Sequence, residues 1–523
     1  MTNFKHTIAA AISLLVCLCL INCGQSKYPQ DVTRVLKEAG KNRAELEKVL
    51  DHYRESADSL KYQAACYLIA NMEGHCYATY KLVDSADNRV EFNVMDYPDF
   101  DSLLKAAEAI EDERGELDYD RDTLIYDLEN ITSDFLTEHI DYAFKAWRER
   151  PWARNLSYDL FQQYVLPYRG SNEPLENWRK DFYEEYDGID SLLENPGDPM
   201  QAARYINKDI QSWFTFDERF YFHPTDQGLS EMRKNKIGRC EDMTNLAIFA
   251  LRANGIAVTS DYTPYWANTG NNHAWNAIAG LDGRVIPFMG CESNPGDYKL
   301  ANKLAKVYRK SFGQQKDNLI FRERKQEKVP GWLAGKSYID VTSDYLDPVE
   351  YTVDFDQPVP DSIDIAYLCV FNSGGWRAID WAGIENNSVH FRNFGPDVIY
   401  LPGFYENEEI VPCGIPFVPH NDQPADTFVA DTANLITITV PHTTQRALVF
   451  STDGVMKTQF AEGQEFELSY WNNEWISVGT QTSDGQALTF ENVPADGLYW
   501  LTEVDGNKEE RIFSCRDGII SWW

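Results

Sequence analysis

The chain reads as an α+β protein in three parts: a helical N-terminal region, a mixed helix-and-strand core, and two β-sandwich repeats at the C-terminal end. Three observations predict this. From about Tyr28 to Pro196 apolar residues recur at helical spacing, as in Leu46, Val49, Leu50 and Tyr53. Gly238-Arg239-Cys240 then opens one apolar-striped helix that Gly255 stops, followed by short strand-like runs. After about Lys336 apolar and polar residues alternate, and the sequence repeats at a constant offset of 99: Trp376 matches Trp475, Phe391 matches Phe490, Asn393 matches Asn492, Asp397 matches Asp496 and Tyr400 matches Tyr499. The expected segments are 1–22, 23–195, 196–335, 336–427 and 428–523.

The first segment carries Lys5 and His6 ahead of an apolar run from Ile8 to Ile21, the length of a signal-peptide core and too short for a membrane span. Its end, Leu20-Ile21-Asn22-Cys23-Gly24, resembles a bacterial lipobox, with Asn22 where a small residue is usual. The resemblance implies a cleaved leader, a lipid on Cys23 and a place at the cell envelope, outer-membrane, periplasmic or surface-exposed. In the second segment Asn42 and Glu45 read as a capping box. Further helices are expected at 59–71, 101–113, 133–150 and 158–166, with apolar stripes facing a core. Arg169 offers a planar fork for a carboxylate, and a structural ion pair is the simpler reading. The breakers at Glu194-Asn195-Pro196-Gly197-Asp198-Pro199 close the region, and 200–213 reads as the first core helix.

Cys240 sits where that core turns into a helix. At a helix N-terminus the macrodipole and unpaired amides favour a thiolate, so its pKa is expected to fall from about 8.5 into roughly the 3.5–7.5 range. Residues 256–262 read as a strand, 268–272 as a polar loop, and His273 as the start of a second strand. A thiolate on a helix tip facing an imidazole on a sheet suits nucleophilic attack on an acyl group. Gly-x-Cys opening a helix, then Leu-Arg-Ala-x-Gly-Ile, then His-Ala-Trp, resemble the transglutaminase-like core, a papain-related α+β fold. The likeness covers roughly 195–300 and implies a Cys-His-Asp/Glu triad.

That family usually supplies an Asp after the histidine strand, and this chain does not match there. Asp282-Gly283 is the dipeptide of a two-residue type I′ hairpin. In that register Leu281 faces Arg284, and further along His273 faces Glu292, within carboxylate–imidazole reach. Glu292 is therefore the expected third member, with Asp297 the runner-up if a bulge shifts the register.

Lys+Arg of 48 against Asp+Glu of 82 gives a net charge of −34, which excludes a general nucleic-acid or anionic-lipid binder. Beyond the leader and Cys23 there are Cys66, Cys76, Cys240, Cys291, Cys369, Cys413 and Cys515, scattered without metal-ligand spacing and read as free thiols. No cofactor or metal is expected. The repeat aromatics read as sandwich core in preference to sugar-stacking platforms, and 214–222 as either a cleft wall or core. The expected function is amide hydrolysis or acyl transfer by Cys240, His273 and Glu292 on a peptide, protein or glycoconjugate substrate. The alternative is a non-catalytic glycan- or protein-binding lipoprotein on the same scaffold.

Overall fold

The computed structural model describes residues 27–280, 283–325, 328–445, 456–506 and 510–523. The leader and Cys23 lie outside these, as do Leu281 and Asp282. The described chain divides into two compact units, one of residues 27–75 and 125–137, the other of residues 76–124 and 138–523.

In the first unit the helices Gln30–Glu38, Arg43–Arg54 and Ser59–Ala70 bury the stripes the spacing predicts, including Leu46, Val49, Leu50 and Tyr53. The capping box does not form. A 3-10 turn at Gly40–Asn42 runs straight into the helix, so Asn42 is itself helical. Its amide donates instead to the Leu128 and Ile131 carbonyls, and Glu45 accepts from the Ser133 amide and hydroxyl.

The second unit starts with a departure. Between the expected helices lies a three-stranded sheet of Cys76–Val83, Arg89–Val90 and Asp118–Tyr126, in a stretch expected to be all helical. Its first strand, CYATYKLV, is aromatic and β-branched, the composition of a pleated surface. Helices do occur at Phe100–Arg114, Ser133–Glu149 and Tyr158–Tyr164. Arg169 is structural: it is buried and donates to the Glu173 carbonyl, while the Glu173 carboxylate accepts from the Gly170 and Ser171 amides.

The core follows. Helix α1 (Pro199–Gln211) is capped by the Asp198 side chain on the Met200 amide, with proline at its first position. Helix α2 (Cys240–Ala253) ends where Gly255 takes φ +73°. Its residues from Asp242 to Ala253 are all buried. Beside it lies an antiparallel sheet of β1 (Val258–Thr263), β2 (His273–Ala279), β3 (Val285–Phe288), β4 (Tyr308–Lys310) and β5 (Tyr338–Asp340), in the order β5-β4-β1-β2-β3. Trp275, Met243, Leu246, Ile248, Phe249, Phe214 and Phe288 form its buried core. Of the aromatic approach to Cys240, Phe214 and Phe220 are buried, whereas Phe216 and Tyr221 are exposed.

Two antiparallel sandwiches complete the unit. In the first, β7 (Ile365–Asn372) pairs with β8 (Gly375–Glu385) and β10 (Tyr400–Glu406), and β8 pairs in turn with β9 (Ser388–Phe394), which pairs with β6 (Val349–Asp354), so that one continuous antiparallel sheet contains all five. In the second, β12 (Glu465–Trp471) pairs with β13 (Trp475–Thr482) and β15 (Leu498–Glu503), covered by β11 (Asp431–Val440) and β14 (Leu488–Ala495). The repeat is structural in detail. Each copy has a bulge at the same place, at Leu368/Cys369 and at Leu468/Ser469. Asn393 and Asn492 share a left-handed backbone, as do Asp397 and Asp496. The Tyr400 hydroxyl donates to the Gly395 carbonyl and the Tyr499 hydroxyl to the Pro494 carbonyl, each five residues back. Trp376 and Trp475 both pack edge-on against Phe371, as part of the apolar cluster joining the sandwiches to the core.

Candidate active site

The chain folds tightly around the start of α2. The Asp242 carboxylate accepts from the amides of Arg239 (3.0 Å) and Gln227 (2.8 Å) and from the Gln227 side chain (3.1 Å). A Cβ on Gly238 would come within 2.7 Å of that carboxylate, which explains the glycine two residues before the cysteine. The Arg239 guanidinium pairs with Asp226 at 2.7 Å, and the Lys310 ammonium pairs with Glu241 at 2.5 Å. The first turn of α2 is thus fixed by two ion pairs and a buried carboxylate.

The histidine strand is bound to the same helix. The Asn276 amide donates to the Thr244 carbonyl at 3.0 Å, and its oxygen accepts from the Gly290 amide at 3.0 Å. On β2 the Trp275 indole donates to the Tyr345 hydroxyl (2.9 Å), which donates to Asp261 (2.6 Å), itself forked by Arg309. Trp266 stacks on the His273 ring, centroids 5.7 Å apart and planes at 23°.

Tyr298 links the pieces. Its hydroxyl lies 2.7 Å from His273 Nε2, and burial raises the pKa of its phenol. Cys240 and Tyr298 pack against one apolar cluster. This phenol beside the imidazole is one that no sequence motif pointed to. The only signal was an aromatic residue six positions after Glu292.

The expected register does not hold. β2 and β3 pair Asn276 with Phe288, Ala277 with Pro287, Ile278 with Ile286 and Ala279 with Val285, one residue out from the expected pairing. The Gly280 amide donates to the Arg284 carbonyl and the Gly283 amide to the Gly280 carbonyl, with Gly283 left-handed at φ +81°. β3 also stops at Phe288. Met289 and Ser293 exchange backbone hydrogen bonds around a tight turn in which Cys291 takes φ +61°. Glu292 sits exposed on that turn, not across a ladder from His273, and its carbonyl accepts from Gln211. Burial still pushes its carboxyl up. Asp297, the runner-up, pairs with Arg204 at 3.5 Å.

The expected thiolate is also corrected. Burial pushes the Cys240 thiol up to about 12, with the Glu241 and Asp242 carboxylates adding to it against Arg239 and the Glu241 backbone amide. Burial lowers His273 to about 4. The pair rests as neutral thiol and neutral imidazole, and Cys240 as a residue is only partly buried.

A cysteine thus opens a buried helix that is bound through Asn276 to the strand beginning with His273. Residues 189–288 match the model described as transglutaminase-like superfamily, so this segment is a transglutaminase-like core. Among solved structures the chain is similar to the crystal structure of red sea bream transglutaminase, at 10% identity over 88% of this chain and 78% of that one, with a TM-score of 0.19. The two do not superpose at that score, and the core assignment rests on the segment match. No curated protein matches the sequence.

Proposed function

We propose that this chain is a cysteine enzyme acting on an amide bond of a peptide, protein or glycoconjugate at the cell envelope. The observation that supports it best is Cys240 in the first turn of a buried helix, bound through Asn276 to the strand that begins with His273. Cys240 Sγ attacks the carbonyl carbon and its proton passes to His273. The imidazole returns that proton to the leaving amine, and the thioester is then opened by water or by a second amine. The Cys240 backbone amide contributes to the oxyanion hole. Tyr298, whose hydroxyl lies 2.7 Å from His273 Nε2, orients the imidazole in place of the expected Glu292. Water is the simpler acceptor, which makes the enzyme a peptidase or amidase.

Incubating wild type and Cys240→Ala with a peptide library and a primary amine, and reading products by mass, distinguishes the outcomes. Hydrolysis or amine incorporation by wild type alone is expected, and equal products from both proteins would refute the assignment. The resting neutral pair favours one second reading, a non-catalytic glycan- or protein-binding scaffold. Ligand capture by both proteins without turnover would support that reading.

The leader supports export and anchoring through Cys23. Cys23→Ser is then expected to leave the protein uncleaved or soluble. A mature N-terminus at any residue other than Cys23, read by mass, would contradict the anchor.

A further inference from the structure

The loop between β1 and β2 delivers both His273 and the Trp266 ring stacked on it, yet it carries no regular structure. Its carbonyls are held from outside the core. Asn372, buried at the tip of the β7–β8 hairpin, donates its side-chain amide to the carbonyls of Trp266 (3.0 Å), Thr269 (2.9 Å) and Asn271 (2.9 Å). Ser373, next to it, accepts from the Asn271 amide at 3.3 Å. Arg511, buried in the second sandwich, donates to the Ala267 carbonyl (2.8 Å) and the Phe371 carbonyl (2.7 Å), with Thr269 at 3.5 Å. Arg511 is fixed in turn by its amide on the Thr444 hydroxyl and its Nε on the Trp523 carbonyl.

The repeat indicates that these two residues are specialised. Asn472 occupies the corresponding hairpin tip of the second sandwich, where it is exposed and its amide bonds within its own turn. The repeated tyrosines pair with Phe417 and Phe513, so the position matching Arg511 in the first sandwich is Ile415, which has no side-chain donor. Both tips carry an asparagine, but only Asn372 is buried against the loop, and the arginine is present in one copy alone. What the two have in common is one irregular loop and the backbone oxygens within it.

We propose that Asn372 and Arg511, one from each sandwich, are positioning residues that fix the loop bearing Trp266 and His273, so that both C-terminal modules are parts of the active site. Its kinetic arm rests on the Cys240–His273 reading, whereas its structural arms do not. Asn372→Asp keeps the shape and removes the donors. Arg511→Met keeps much of the length and removes the fork. In full-length protein, hydrogen exchange of residues 264–272 and modification of His273 by diethyl pyrocarbonate, located by mass, are each expected to quicken about tenfold or more as the loop opens locally. On a peptide that wild type turns over, kcat is expected to fall at least about tenfold with KM within about threefold, the signature of misplaced catalytic geometry with binding retained. Asn472→Asp should change none of these. Exchange and His273 modification within about twofold of wild type in Asn372→Asp would overturn the proposal, because local opening is what those rates report. If Arg511→Met loses protection throughout 465–503 as well, its effect is global and Asn372→Asp alone decides. A wild type that turns over no peptide bears on the Cys240 reading and leaves both structural arms decisive.

Discussion

His273→Ala should lower turnover by about 10³–10⁶, the range for removing the base from a unit of interdependent catalytic groups, with little effect on folding. In the proposed mechanism the imidazole is the proton acceptor for a thiol that burial holds protonated up to about 12. Without it the nucleophile has nowhere to send its proton at neutral pH. The same two values set the pH profile. With the base at about 4, wild-type turnover should stay level between about pH 5 and 9 and fall as pH drops through about 4, where the imidazole holds a proton and accepts no other. Iodoacetamide should alkylate Cys240 no faster than an ordinary thiol at pH 6, since little thiolate exists there. Stability follows the same sign. The unfolded imidazole binds a proton below its ordinary 6.5 while the folded one does not until about 4. Stability therefore decreases as pH drops from about 6.5 to about 4, by up to roughly 3 kcal/mol for this group alone. His139, buried beside Arg179 and lowered well below its usual value, acts in the same direction.

Gly290→Ala should destabilise the core by about 3 kcal/mol, at the upper end of overpacking costs. An added Cβ would lie 2.5 Å from the Met243 carbonyl, 2.6 Å from Ala247 Cβ and 2.8 Å from the Asn276 side-chain oxygen. Two of these belong to buried α2 and cannot swing aside, and the third holds the bond that ties α2 to β2. Urea unfolding of both proteins measures the loss. Gly283→Ala is the contrast: its φ of +81° strains any side chain, but nothing lies within 4 Å of the new Cβ. That variant should lose only about 1 kcal/mol.

Gly290 also shows where the sequence was readable. Helical spacing ending at Gly255 placed α2 and put Cys240 at its tip, and the offset of 99 revealed two sandwiches whose bulges and tyrosine hydrogen bonds agree. These features are local, or are repeated in the sequence. The register of β2 with β3 was misread because the Asp-Gly dipeptide alone does not fix the pairing, and one residue moves every side chain to the opposite face. The turn at Met289–Ser293 depends on Gly290 fitting against α2, a contact no local pattern records. The thiol was misjudged because helix position is visible in a sequence and burial among carboxylates is not. Tyr298, Asn372 and Arg511 reach the site through tertiary contacts from 25, 99 and 238 residues beyond His273, without a periodicity or motif to mark them.

The central claim is that Cys240 carries the acyl group. Its most direct test is an acid-quenched turnover mixture of wild type with a peptide it cleaves, digested and mapped by mass. The predicted result is the peptide's acyl portion attached to the fragment containing Cys240, released by hydroxylamine and missing from Cys240→Ala. An acyl group on a different residue, or unchanged turnover in Cys240→Ala with no adduct, would contradict it.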